Sequence, residues 1–333
     1  MALHQAFQDK STAKDPRQTD ALKLQARRHY VFDSNQRTCD ESVIELIPSI
    51  RRLIEVRFNV EAIKKEIDAN PDMPLELKLQ KWEKMKLTSF ARILALAYSY
   101  SLLTVTLKCQ ISILAADICT QFEKPREPVA TGWSSYLPPG FANYFGSSAP
   151  STSEPQKQPD VGSQQIFMQC IQYFTSTGIQ QLFDNIEKAM EESLQNITLK
   201  QQMSKDEVRA IFESAEKRIF SEDGVEFCQL VAPLDENMNM VGETLQNLIR
   251  RLVRSLKSTE CKDTTRALAD YYLSTACGRI PGSSPAPLAK LIPPLSDTFH
   301  SISSTSFESP LRNSLCSSDV HQLAIAVFSS KIA

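Results

Sequence analysis

The sequence predicts an all-α protein, an elongated bundle of long helices in a single domain. Three observations predict it. No glycine precedes Gly132, and Leu75 to Lys124 contains neither glycine nor proline. A helix of that length would run about 75 Å at 1.5 Å per residue. Elsewhere apolar residues recur three and four apart, the period of a helix with one buried face. Extended alternating runs bounded by turn residues are absent, so helix-on-helix layers are what remains to bury a core.

Each element follows from local chemistry. Residues 1–20 are polar and charged, and read as disordered. Gln25 to Cys39 reads as a basic helix end, a polar turn and a new helix. Thr38 and Glu41 have capping-box spacing there, ahead of the series Val43, Ile47, Ile50 and Ile54. Pro48 should kink that second helix or mark its boundary. The uncharged run Ile93 to Leu107 is shorter than the roughly 20 residues a membrane span needs. Tyr98, Ser99, Tyr100, Ser101, Thr104 and Thr106 interrupt it, so it reads as a buried core helix.

Residues 125–163 change character to proline, serine and glycine, and predict a long flexible loop. It carries Trp133, Tyr136, Phe141, Tyr144 and Phe145. These aromatics either pin the loop to the helical body or offer a membrane or partner contact. Helices resume near Ser163 with Ile166, Cys170, Ile171 and Phe174, then Ile179, Leu182, Phe183 and Ile186, and Gly178 between them reads as a close-packing point. Ser204 and Glu207 form a second capping box. Met240 to Lys257 is helical, with Leu245, Leu248, Ile249, Leu252, Val253 and Leu256 on one side. Arg250, Arg251, Arg254 and Lys257 lie on another, which reads as a solvated face. Further helices are expected over Thr264 to Cys277, Ala289 to His300 and Val320 to Ser329, with a loop over 280–288.

Composition narrows the function. A net charge of −2 gives no global electrostatic case for nucleic acid or an anionic membrane surface. Eight cysteines lie far apart without a C-x-x-C pair and read as reduced thiols. Four scattered histidines suggest no metal site. Phosphate-cradling, dinucleotide, zinc-protease and nucleophile-elbow motifs are all missing, so no catalytic residue, metal ligand or cofactor is assigned and the chain does not read as an enzyme. The C-terminal Ser330-Lys331-Ile332-Ala333 is close to the S-K-L address without matching it.

One constellation has the form of a binding surface. Lys78, Trp82, Met85 and Lys86 fall on one side of the helix after Pro74, and Leu75 and Leu79 extend its apolar part. Tryptophan and methionine at helical spacing usually belong to a core. Lysines on the same side turn the reading towards a partly exposed groove for an amphipathic helix with acidic edges.

The sequence resembles the peroxin-3 family in several separated blocks. These are Gln25 to Cys39, Trp82-Glu83 with Ser89-Phe90-Ala91-Arg92, Ser193 to Lys200, and Pro287 to Pro293 followed by His300-Ser301. The resemblance implies a twisted, elongated helical receptor domain over residues 21–333, on the cytosolic face of the peroxisomal membrane. It implies docking of the N-terminal amphipathic helix of peroxin-19, a chaperone for peroxisomal membrane proteins, with no reaction catalysed. Trp82 matches the family's groove tryptophan. Ile67, Lys78, Met85 and Lys86 match its neighbours, and Lys290 would reach the groove from the C-terminal part. Asp68 stands where the family often has a basic residue. The family opens with a basic segment and a membrane anchor that residues 1–24 do not supply, so the chain as written is expected to be soluble. The runner-up is a helical scaffold or membrane tether working through the aromatic loop.

Overall fold

The computed structural model describes residues 16–123, 161–220, 226–232, 242–282 and 285–330. They form one all-α domain. In chain order the helices are α1 (Pro16–Arg57), α2 (Val60–Ala69), α3 (Leu75–Glu123), α4 (Val161–Met168), α5 (Cys170–Tyr173), a π-helical turn (Phe174–Gly178) and α6 (Ile179–Leu194). Then follow α7 (Lys205–Ile219), α8 (Phe227–Val231), α9 (Glu243–Lys257), α10 (Thr259–Gly278), α11 (Leu288–Ile302), α12 (Pro310–Leu315) and α13 (Ser318–Ser329). The two-residue strands β1 (Gln202–Met203) and β2 (Ala286–Pro287) pair antiparallel. The aromatic cluster of the 125–163 segment lies outside the described residues, as does the C-terminal tripeptide.

The 49-residue α3 is the axis of the fold. Helices α1, α2, α6, α9, α10, α11 and α13 all pack on it. Its stretch Leu75–Thr120 is long and apolar enough to cross a membrane, yet 89% of the apolar window is buried inside the bundle. Three of the large polar side chains within it bond to other parts of the bundle. Tyr98 donates to Glu216 Oε1 at 2.9 Å, Tyr100 to the Ser303 carbonyl at 3.3 Å and Gln110 to the Phe167 carbonyl at 2.9 Å. Such bonds remove the penalty of a buried polar group without a partner. Cys109 and Cys119 are small hydrophobes in this core.

The expected corner before Cys39 is absent. α1 is continuous from Pro16 to Arg57, and Thr38 Oγ1 donates back to the Ser34 carbonyl at 3.2 Å instead of capping a helix start. The intervening polar residues include no glycine or proline, and two of them, Asn35 and Gln36, are buried. Gln36 donates to Ser112 on α3 at 3.1 Å, so the helical stripe continues through them. Pro48 lies inside α1 and does not end it. Residues 16–20, expected to be disordered, form its first turns, and residues 161–163, expected in the loop, open α4. Residues 1–15 lie outside the described residues.

The other expectations hold more closely. Ser204 and Glu207 make a reciprocal capping box at the start of α7. A Cβ on Gly178 would stand 1.7 Å from the Leu230 carbonyl oxygen, which makes that glycine a close-packing point. On α9, Leu245, Leu248, Ile249, Leu252 and Leu256 are buried. Arg251 departs from the solvated face, because it pairs with Asp117 at the far end of α3 and is largely covered.

Candidate functional site

The stripe of α3 that holds Leu75, Lys78, Leu79, Trp82, Met85, Lys86 and Ser89 changes environment along its length. Met85 and Lys86 are each 5% exposed and Ser89 is fully covered. Trp82 and Lys78 are half-buried. Leu79 is 54% and Leu75 84% exposed. The bundle therefore covers the C-terminal part of an apolar stripe and leaves its first two turns open. Asn59 caps α2, which folds back along the start of α3, and its Glu66 pairs with Lys81. Ile67 on α2 is half-buried against the same core.

Two of the expected site residues have internal roles. Met85 belongs to the core. The Lys86 ammonium donates to the Ile197 carbonyl at 2.6 Å and pairs with Glu83 at 2.6 Å. It thereby ties α3 to the segment before β1. That segment also holds the start of α11, because the Ala289 and Leu288 amides donate to the Leu199 and Gln201 carbonyls, each at 2.9 Å. Lys290, one residue further on, is exposed. The 197–201 segment is thus the piece that Lys86 and the approach to Lys290 have in common. Beside the stripe, a cleft of about 450 Å3 opens between α3 and α6, lined by Glu83, Lys84, Leu87, Glu187, Glu191 and Leu194.

Sequence reasoning missed the polar clamp beneath this surface. Arg92 has a fully covered side chain. Its Nη1 bonds both Glu61 carboxylate oxygens at 2.7 and 2.8 Å, and its Nη2 donates to the Ser296 carbonyl at 3.1 Å. Its guanidinium lies 4.2 Å from the Phe299 ring centroid, a favourable cation–π geometry. His300 Nε2 reaches Glu61 at 3.2 Å, and Arg51 meets His300 Nδ1 at 3.4 Å. Burial pushes the Glu61 carboxyl up, but the Arg92 hydrogen bonds and charge outweigh it and hold the group below its ordinary value. This clamp joins α1, α2, α3 and α11. Its one signal in the sequence is that Arg92 and His300 both sit in the blocks quoted above.

Among the described residues no cluster of three or more histidine, cysteine, aspartate or glutamate side chains could hold a metal ion. The arrangement is an apolar surface with lysines at its edge. It presents no nucleophile paired with a base.

Comparison with known proteins agrees with the resemblance. Peroxisomal biogenesis factor 3 of Rattus norvegicus is 30% identical over 180 residues, covering 54% of this chain and 41% of that protein. The proteins of that name from Bos taurus and Homo sapiens are each 29% identical over 180 residues, 54% of this chain and 40% of theirs. The match thus spans well under two thirds of these relatives. The family model for Peroxin-3 matches residues 68–247, which takes in Trp82, Arg92 and the Ser204 cap but leaves the 25–39 and 287–301 blocks outside. With more than half of its residues in that match, the chain belongs to the peroxin-3 family.

Proposed function

We propose that this chain serves peroxisome biogenesis as a docking receptor, taking the N-terminal amphipathic helix of peroxin-19 on the open end of the α3 stripe at the cytosolic face of the peroxisomal membrane. The observation that carries the reading is the uncovered apolar row of Leu75, Leu79 and half-buried Trp82 with Lys78 beside it. A single apolar row two turns long suits the i, i+3, i+4, i+7 anchors of an amphipathic helix. Tryptophan in a half-covered position is the residue type that most often dominates interface energy. Lys78, and Lys290 if the partner helix extends that far, would meet acidic edges, whereas Asp68 would oppose them. Met85 and Lys86 act from below, as floor and as anchor of the 197–201 segment. The protein acts by binding and catalyses no reaction.

The test is a titration of the chain with the peroxin-19 helix peptide. Trp82→Ala is expected to cost more than about 2 kcal/mol of affinity. Because Trp82 also touches the core, Leu75→Asp serves as the second variant. Leu75 is 84% exposed, so its replacement leaves folding intact while placing a carboxylate in the row. Unchanged affinity in both variants, with the helical circular dichroism preserved, would sink the proposal.

A further inference from the structure

The cationic face of α9 remains unused by the docking site. Arg250, Arg254 and Lys257 follow at i, i+4 and i+7, so they form one stripe on the outer side of the helix. All three are exposed. Like charges at this spacing repel one another and destabilise a helix slightly. Within the fold, only part of that repulsion is answered. Lys257 meets Glu226 at 2.8 Å, and the neighbouring Arg251 is taken up by Asp117. Among the described residues, Arg250 meets the neutral side chains of Gln246 and Asn247, at 3.2 and 3.4 Å. Glu243 and Glu260, also among the described residues, stand in the first turns of α9 and α10. There the positive end of a helix dipole engages them.

Helix α4, which packs against α9, is different in kind. Residues 161–183 carry no charge at all, and Ile166 among them is 49% exposed. A row of cations on one helix, packed against an uncharged helix that carries an exposed isoleucine, has the composition of a membrane-surface contact. The cations sit among headgroups and the apolar side chain enters below them. The first turns of α1 lie at the same end of α3, since Gln36 bonds Ser112 and Lys108 pairs with Asp40 at 2.7 Å. That part of α1 carries exposed Leu22 and Tyr30, and Lys23 paired with Asp20 at 3.5 Å.

We infer that the α9 face, Arg250, Arg254 and Lys257 with Ile166 of α4, docks on an anionic phospholipid surface. Charge complementarity selects the occupant. A chain of net charge −2 has no global attraction for such a surface, and this face supplies a local one. The face lies apart from the Trp82 site. Trp82 and Asp117 are separated along α3 by on the order of 50 Å at the helical rise, so either proposal can fail without the other.

The experiment is co-sedimentation of the whole chain with phosphatidylcholine vesicles, with and without phosphatidylserine, over a range of salt. Binding is expected only with phosphatidylserine and should weaken as salt rises. Arg250→Glu with Arg254→Glu is expected to reduce it at least about tenfold, each cation near such a surface contributing appreciably. Arg250→Gln with Arg254→Gln, which removes charge without adding any, should reduce it in the same direction. Failure of the parent chain to sediment with phosphatidylserine vesicles would overturn the inference. So would equal binding by well-folded variants, or equal binding to neutral vesicles. Binding of polyglutamate without vesicle binding would reassign the face to an acidic protein partner.

Discussion

At Gly178 the presence of one hydrogen in place of a methyl group decides how closely two chain segments meet. A Cβ there would fall 1.7 Å from the Leu230 oxygen and 2.7 Å from its carbonyl carbon, and both are backbone atoms that cannot rotate aside. In an unobstructed helix, alanine would stabilise over glycine by roughly 0.5–1 kcal/mol. Here the overlap reverses the sign, and Gly178→Ala is expected to cost about 2–3 kcal/mol. The urea midpoint should fall while the slope stays constant; an unchanged or higher midpoint would show that α8 yields. A glycine inside a helical run signals that something packs against it, and that much is legible in the sequence. Its neighbour Leu230 is not, because the contact is made across 52 residues of chain. Met85 and Lys86 show the same limit. Their spacing with Trp82 places them on one face, but spacing does not say where the neighbouring helices stop covering that face.

Two Ser/Thr-x-x-Glu signatures of the chain, Ser204 with Glu207 and Thr38 with Glu41, have opposite outcomes, and of these two only the first forms a cap. Ser204 has φ −85° and ψ 169°, its hydroxyl accepts from the Glu207 amide at 3.2 Å, and Glu207 accepts from the Ser204 amide at 2.7 Å. The extended strand β1 delivers the chain to that position, so the cap begins a helix that has no other start. Thr38 and Glu41 sit inside a helix already running. Buried Phe32, Gln36, Cys39 and Val43 keep the three-and-four spacing straight across them, and no residue between Asp33 and Gln36 breaks a helix. A capping signature marks a start only where the preceding chain is extended, and the unbroken apolar period was the stronger signal. The two sites should therefore respond differently. Ser204→Ala is expected to lower stability by about 1 kcal/mol. Thr38→Ala, half-exposed and bonded back to Ser34, should stay within about 0.5 kcal/mol. Chemical denaturation of the two variants side by side checks this, and an equal loss in both would mean that Thr38 carries structural weight the continuous helix does not account for.

For the molecule as a whole, the long stretch without glycine or proline made α3 and the helical class legible. The arrangement of the other helices around it was not, because each offers a similar apolar face. What distinguishes their places is polar and distant in sequence: Arg92 selects Glu61 and Ser296, Lys86 selects Ile197, and Arg251 selects Asp117. This architecture has a consequence for unfolding. Chains of this length often lose their parts in stages, because separate cores melt separately. Here helices from both halves of the chain bury their faces on the same axis: α1 and α2 before it, α6, α9, α10, α11 and α13 after it. Detaching any of them exposes α3 itself, so the loss of one destabilises the seat of the next. Unfolding is expected to be one cooperative transition. With Trp133→Phe, the fluorescence of Trp82 reports on the open end of α3, while far-ultraviolet circular dichroism reports on every helix at once. The two midpoints in urea should coincide. A fluorescence midpoint well below the circular dichroism midpoint would show that α2 and the first turns of α3 melt ahead of the bundle. The docking stripe would then be ordered by its partner, and the exposed row of Leu75 and Leu79 would be a surface that forms only in the complex.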